Sequence, residues 1–262
     1  MRALLRKIWG GSPPAMVRPA SVPAGWRVYA IGDVHGECRC LRSLLAMIAE
    51  DAAGLQGVRP LLVFLGDYID RGPDSRDVLE LLRQVAAAQD DGGPACRFLL
   101  GNHEVAMLEF LRDPVAGAGW LNFGGAEALV SYGVRASVGV AGAERCRTMR
   151  DQLLERLPAA HLAFLKALEP MAVLGDYLFV HAGVRPGVEL DRQTPDDLLW
   201  IREPFLSSRR DHGKVVVHGH SIVEQPLFLA NRIGLDTGAY ATGRLTALRL
   251  EGEERAILQT GN

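Results

Sequence analysis

The chain has 262 residues, 48% of them hydrophobic and 23% charged, so a collagen, a long coiled coil and wholesale disorder are excluded and a sizeable core is available. At about 150 residues per domain, the length fits one α/β domain carrying an insertion. Lys and Arg number 29 against 31 Asp and Glu, a formal charge of −2, which gives no global electrostatic case for nucleic acid or an anionic membrane as partner.

Residues 1–25 read as a flexible tail, with Gly, Pro, Ser and Ala concentrated from Gly10 to Gly25. Within it, Leu4, Leu5, Ile8 and Trp9 among Arg2, Arg6 and Lys7 suit either a short amphipathic membrane-surface helix or a frayed terminus. Arg6 and Lys7 also interrupt the apolar run that a secretory leader needs. The longest apolar runs, such as Pro60 to Leu65, fall far short of the roughly 18 residues of a membrane span. Cys38, Cys40, Cys96 and Cys146 are scattered with no CxxC pair, which favours a reducing, cytoplasmic setting.

From Trp26 to the end the chain reads as one folded domain. Arg27 to Ile31 is strand-like, followed by a polar loop and a helix with Leu41, Leu44, Leu45 and Ile48 at helical spacing. The unit repeats, with strand Leu61 to Leu65 before a helix around Val78, Leu81, Leu82 and Val85, and strand Arg97 to Leu100 before Val105 to Leu111. Repeats of roughly 30 residues suit βαβ crossovers between parallel strands. Residues from about 113 to 170 change character and predict a helical insertion. Strand-like runs return at Tyr177 to Val180, Val215 to Val217, Leu227 to Ile233 and Leu245 to Leu250, so two packed sheets with helices outside are expected.

Polar segments fall where these strands end: Gly32-Asp33-Val34-His35-Gly36, Gly66-Asp67-Tyr68-Ile69-Asp70-Arg71-Gly72, Gly101-Asn102-His103-Glu104, His181-Ala182-Gly183 and His218-Gly219-His220. Alone, each Asp reads as a turn former or helix cap and each His as a core residue. Together, at successive strand ends that converge on one crevice, they point to a metal site. Five of the seven histidines lie in these segments.

These motifs, in this order and spacing, resemble the calcineurin-like metallophosphoesterases, and within them the bacterial serine/threonine phosphoprotein phosphatases. Phe123-Gly124-Gly125, the run Asp197 to Arg202 and Asp236-Thr237-Gly238 add weaker likeness. The resemblance runs from about Tyr29 to about Leu250 and implies two mixed sheets flanked by helices around a dinuclear centre. Asp33 and His35 would hold one ion, Asn102, His181 and His220 the other, and Asp67 both. Oxygen and imidazole donors without thiolate suit manganese, with iron or zinc as alternatives. His218 would support a ligand or face substrate.

The activity implied is phosphomonoester hydrolysis by in-line attack of a bimetal-activated hydroxide. Arg71 and Asn102 would bind the phosphate, with Arg202 a further candidate whose competing explanation is an ion pair with Glu203. His103 would protonate the leaving group and Asp70 would orient it. Glu104 opens a helix and reads as structural through the helix dipole. Tyr68 is a candidate wall of the cleft, and Cys38 and Cys40 are packing residues. The substrate expected is a phosphoprotein or a phosphorylated small molecule. A symmetrical dinucleoside tetraphosphate hydrolase is the alternative, its base pocket then built around Trp120 and Phe123.

Overall fold

Both faces of the central strands are apolar, and this decides the architecture. In the computed structural model, which describes residues 19–136 and 142–261, the chain runs β1 (Trp26–Ile31), α1 (Cys38–Ala52), β2 (Arg59–Phe64), α2 (Ser75–Ala87), β3 (Ala95–Phe98) and α3 (Asn102–Arg112). A 3-10 stretch (Ala116–Phe123) leads into α4 (Gly125–Ser131), α5 (Ala143–Arg156) and α6 (Ala159–Lys166). Then follow β4 (Met171–Leu174), β5 (Tyr177–Val180), α7 (Pro195–Trp200), β6 (Val215–His218), β7 (Leu227–Phe228), β8 (Arg232–Gly234), α8 (Ala239–Thr242), β9 (Thr246–Glu251) and β10 (Glu254–Gln259). No helix among the described residues is long and apolar enough to cross a membrane.

The first sheet has the order β10-β9-β1-β2-β3 and the second β4-β5-β6-β8-β7. In the first, β1, β2 and β3 are parallel while β9 and β10 add antiparallel at one edge. In the second, β5, β6 and β8 are parallel, flanked by antiparallel β4 and β7. Both sheets are therefore mixed, as expected.

Strand periodicity of two assigns alternate side chains to different layers. Val28 and Ala30 of β1 pack between the sheets with Val63, Phe179, Val217 and Ile233, whereas Tyr29 and Ile31 face the helices with Leu41, Leu44 and Val78. On β5, Leu178 and Val180 face away from the first sheet and meet Leu198, Ile201 and Phe205. Each fully buried Val, Leu or Phe contributes about 1.5–3 kcal/mol, and the layers point the carboxyl ends of the parallel strands toward one shared crevice.

Three expectations need correction. Leu227 to Ile233 is a hairpin rather than one strand: Asn231 turns the chain, its side-chain amide donating to the carbonyls of Ser208 and Arg210 at 3.0 and 2.9 Å. The late strand runs suit hairpins by their pattern, but β4 and β10, which pair with β5 and β9, were not anticipated, although the two-residue turns Gly175-Asp176 and Gly252-Glu253 carry a recognisable signal. The tail does not extend to residue 25. Val22 is buried and donates its N–H to the Gly252 carbonyl, and Asp176 accepts from Ser21 N–H. The proposed amphipathic stretch Met1 to Trp9 lies outside the described residues.

Candidate metal centre and active site

The loop after β1 is tied to the loop after β2 by main-chain bonds, with Val34 and His35 N–H both donating to the Asp67 carbonyl. The two loops adopt costly backbone conformations. His35, Asp67, Asp70, Arg71 and His220 are the non-glycine residues with left-handed φ among the described residues, at 45°, 51°, 74°, 64° and 61°. Such residues persist where surrounding contacts over-determine them, and all five belong to this crevice.

Glu104 supplies much of that determination. Fully buried, it accepts hydrogen bonds from the amides of Gly101, Asp67, Tyr68 and Ile69 at 3.0, 2.9, 2.8 and 3.3 Å. Its role is structural as expected, but its reach extends beyond its own helix: it clamps the β2 loop to the β3 loop. Burial raises its carboxyl to about 8 and nearby Asp67 adds to the effect. Tyr68 does not line the cleft. Its ring is in the core and its hydroxyl donates to the Leu99 carbonyl at 2.6 Å.

Asp67 stands at the meeting point of two groups, His35 with His103 and His181 with His220, whose possible ligand atoms lie within 4.8 Å of one another in each group. His35 Nε2 is 3.5 Å and His181 Nε2 3.4 Å from the Asp67 carboxylate. Each of these rings is aimed by its other nitrogen, His35 Nδ1 at the Ile69 carbonyl and His181 Nδ1 at the Leu65 carbonyl, both 2.9 Å away. Asn102 Oδ1 sits between His181 Nε2 at 2.8 Å and His220 Nδ1 at 3.0 Å. Burial pushes His35 and His220 down to about 3, keeping both imidazoles neutral and able to donate a lone pair. Burial would raise Asp67, but His181, His103 and His35 outweigh it and hold the carboxyl well below its ordinary range.

Asp33 completes the floor. One oxygen accepts from His220 N–H at 3.0 Å, while Oδ1 is buried with no hydrogen-bond partner. A side chain at Gly219 would collide with that oxygen, so the residue between the two histidines must be glycine. Burial and the neighbouring Asp236 and Asp67 raise the Asp33 carboxyl. Orphaned and crowded carboxylate oxygens beside neutral imidazoles and an amide oxygen are a donor set that fits divalent cations. Of the six residues expected to be ligands, His35, Asp67, His181 and His220 fall in these two groups, Asn102 lies against His181 and His220, and Asp33 joins through the His220 N–H, while His103, expected as the acid, falls in the group with His35. His218 is turned away, its Nε2 3.4 Å from Arg232 Nη1 and its ring against Phe205 at 5.1 Å, so it does not face substrate.

Above this floor opens a cleft of about 530 Å³, lined by His35, Asp67, Asn102, His103 and His220 and by Arg71, Arg202, Asp236, Phe123, Trp200 and Ile222. A larger hollow of about 790 Å³ near Pro19 and Lys214 contains no histidine and none of these groups. His103 Nδ1 lies 2.6 Å from Asp70 Oδ2, which also accepts from Trp120 Nε1–H at 2.7 Å. Trp120 is therefore a buried partner of the catalytic candidate Asp70 rather than a wall for a base. Its position 50 residues away in sequence hid this. Burial would lower His103, but Asp67 and Asp70 outweigh it and raise the ring to about 9. Burial lifts Asp70 to about 6 against the pull of His103 and Trp120.

Arg71 projects into the cleft, Nη1 donating to Tyr240 Oη at 2.8 Å and Nη2 lying 3.4 Å from His103 Nε2. The Phe123-Gly124-Gly125 run fits against it: the Gly124 carbonyl accepts Arg71 N–H, and a Cβ on Gly124 would strike the Arg71 main chain. Arg202 donates to Ser221 Oγ at 3.0 Å and to the His220 carbonyl at 3.2 Å. It thus lies on the cleft side and forms no ion pair with Glu203 among the described residues.

The calcineurin-like phosphoesterase family matches residues 27–249. The serine/threonine-protein phosphatase 1 of Salmonella typhimurium is 29% identical over 250 residues, covering 90% of this chain and all of that protein. An asymmetrical bis(5'-nucleosyl)-tetraphosphatase of Anoxybacillus flavithermus is 27% identical over 242 residues, covering 84% and 88%. The crystal structure of a candidate diadenosine tetraphosphatase superposes with a TM-score of 0.63 at 21% identity, covering 94% of this chain and all of that one, which shows the shared α/β fold. With its motif loops, two mixed sheets and match over most of its length, the chain belongs to the calcineurin-like phosphoesterase family.

Proposed function

We propose that the protein is a metal-dependent phosphomonoester hydrolase that acts on phosphoserine and phosphothreonine in proteins. The observation that carries this reading is the joint placement of His103 on Asp70 at 2.6 Å and of Arg71 Nη2 at 3.4 Å from the same imidazole, at the mouth of a buried carboxylate and histidine cluster. Asp33 and His35 would hold one divalent ion, Asn102, His181 and His220 the second, and Asp67 both, with manganese the first choice and iron or zinc the alternatives. Bound there, such ions supply a nucleophilic oxygen at neutral pH and stabilise charge on an in-line phosphoryl transition state.

The side chains do the rest. Arg71 and Arg202 approach the cleft from opposite sheets and offer planar guanidinium groups to the non-bridging oxygens, aided by the Asn102 amide. The His103 Nε2 proton goes to the departing oxygen while Asp70, fixed by Trp120, holds the Nδ1–H. A cleft bordered by the largely exposed Phe123 and the half-exposed Trp200 lets a protein-borne phosphate enter while its chain stays outside. Four cysteines scattered with no CxxC pair suit a reducing cytoplasmic compartment.

The same two aromatic rings favour one second reading, hydrolysis of dinucleoside tetraphosphates, because each offers a face on which a base could stack. The test is kcat/KM of the manganese-loaded protein on a phosphothreonine peptide and on diadenosine tetraphosphate under one set of conditions. A preference of about tenfold or more for the peptide is expected, and the reverse preference transfers the assignment to the nucleotide.

A further inference from the structure

Beside the cleft lies a second hollow of about 410 Å³ that the phosphate chemistry does not use. It is lined by Asn122, Phe123, Gly124, Glu127 and Tyr240, and it shares Arg71 and Phe123 with the main cleft. Glu127 stands in the first turn of α4, and its Oε2 is buried with no hydrogen-bond partner among the described residues. A buried carboxylate oxygen left without a donor is costly, and the residue that carries it lines the hollow. Next to it the Phe123 ring is 64% exposed, and Tyr240 Oη, already accepting from Arg71, keeps its own proton to donate. An acceptor of negative charge and an aromatic face in one hollow suit a cation.

We infer that this hollow is a subsite for a positively charged group of the substrate, a lysine or arginine side chain flanking the phosphorylated residue. The inference rests on the protein-phosphatase reading above. Arg71 and Phe123 line both hollows, so a phosphate held by Arg71 in the main cleft would leave the neighbouring peptide beside Phe123. The flanking cation then passes that ring and meets Glu127. The site also balances charge, because the cationic side chain neutralises the carboxylate on one side of Arg71 while the phosphate neutralises the guanidinium on the other.

The test uses the manganese-loaded full chain and phosphothreonine peptides in which one flanking position at a time carries arginine, glutamine or glutamate. At one position, arginine is expected to exceed glutamine by about tenfold in kcat/KM, through KM, the scale of one desolvated charge pair. Glu127→Gln, which keeps the shape of the side chain, should bring that ratio to within about twofold, and Glu127→Lys should turn the preference toward glutamate. Equal rates for all peptides with the wild type, or an arginine preference that survives both substitutions, overturn the subsite alone. Failure to hydrolyse any peptide, with para-nitrophenyl phosphate still turned over, overturns the protein-phosphatase reading and the subsite with it.

Discussion

The two sheets contribute unlike halves to the crevice. Loops of the first sheet bring Asp33, His35, Asp67, Asp70, Arg71, Asn102 and His103, and four of the five left-handed non-glycine residues are among them. They are bound to one another through Glu104, the Asp67 carbonyl and Trp120. Loops of the second sheet bring His181, His220, Arg202 and Asp236, with fewer cross-links: His181 is aimed by the Leu65 carbonyl and His220 is held by Asp33, both in the first sheet. The first half carries the strained, hydrogen-bonded carboxylates together with His103, and the second supplies His181 and His220, which the first half positions. The lesson is that strain concentrates where several groups must be fixed relative to one another.

Substitutions can break that comparison in order of severity. Asp67→Asn removes the carboxylate common to both halves, so metal content should drop to one ion per chain or fewer and hydrolysis should fall by more than the roughly 10- to 100-fold that outer partners of a metal site produce. Elemental analysis beside a turnover assay reads both. His103→Ala should spare the metal yet lower kcat by about 10² to 10⁴-fold, most on esters with poor leaving groups. Trp120→Phe strips one donor from Asp70 and should cost about ten- to a hundredfold in kcat with KM little changed, the scale of a hydrogen bond to a charged group. Metal content separates these two from Asp67→Asn.

The smallest effect lies away from the crevice, on the face that docks α1 against the first sheet. Burial alone would raise Asp51, but the Tyr29 hydroxyl at 2.6 Å and Arg249 and Arg27 outweigh it and hold the carboxyl below its ordinary value. A carboxyl depressed by folding contributes stability that is present above its unfolded pKa, near 3.9, and is lost as pH falls through the folded value. The Tm of wild type should therefore exceed that of Asp51→Asn at neutral pH, and the gap should close on acidification. A gap that persists in acid would show that packing, not charge, holds the helix.

How much of this was legible follows from what each residue depends on. The loops after β1, β2, β3, β5 and β6 could be read because a strand period ending in a polar motif is local information, and His35, Asp67, His181 and His220 from these loops do lie together. Glu104 could be placed at a helix start, but its bonds to the amides of the β2 loop depend on how β2 and β3 pair. The partnership of Trp120 with Asp70 depends on how the segment after α3 folds back over the site. His218, adjacent to a motif glycine, looked suited to substrate, yet β6 alternation turns its ring toward Phe205 and the outer layer.

On the function proposed, the two sheets would together hold two ions, with Asp67 serving both. The most direct measurement is the manganese content per chain, after reconstitution and removal of free metal, for wild type and Asp67→Asn. About two ions per wild-type chain, falling to one or fewer in the variant, is the predicted result. One ion or none in the wild type, or an unchanged two in the variant, would contradict it.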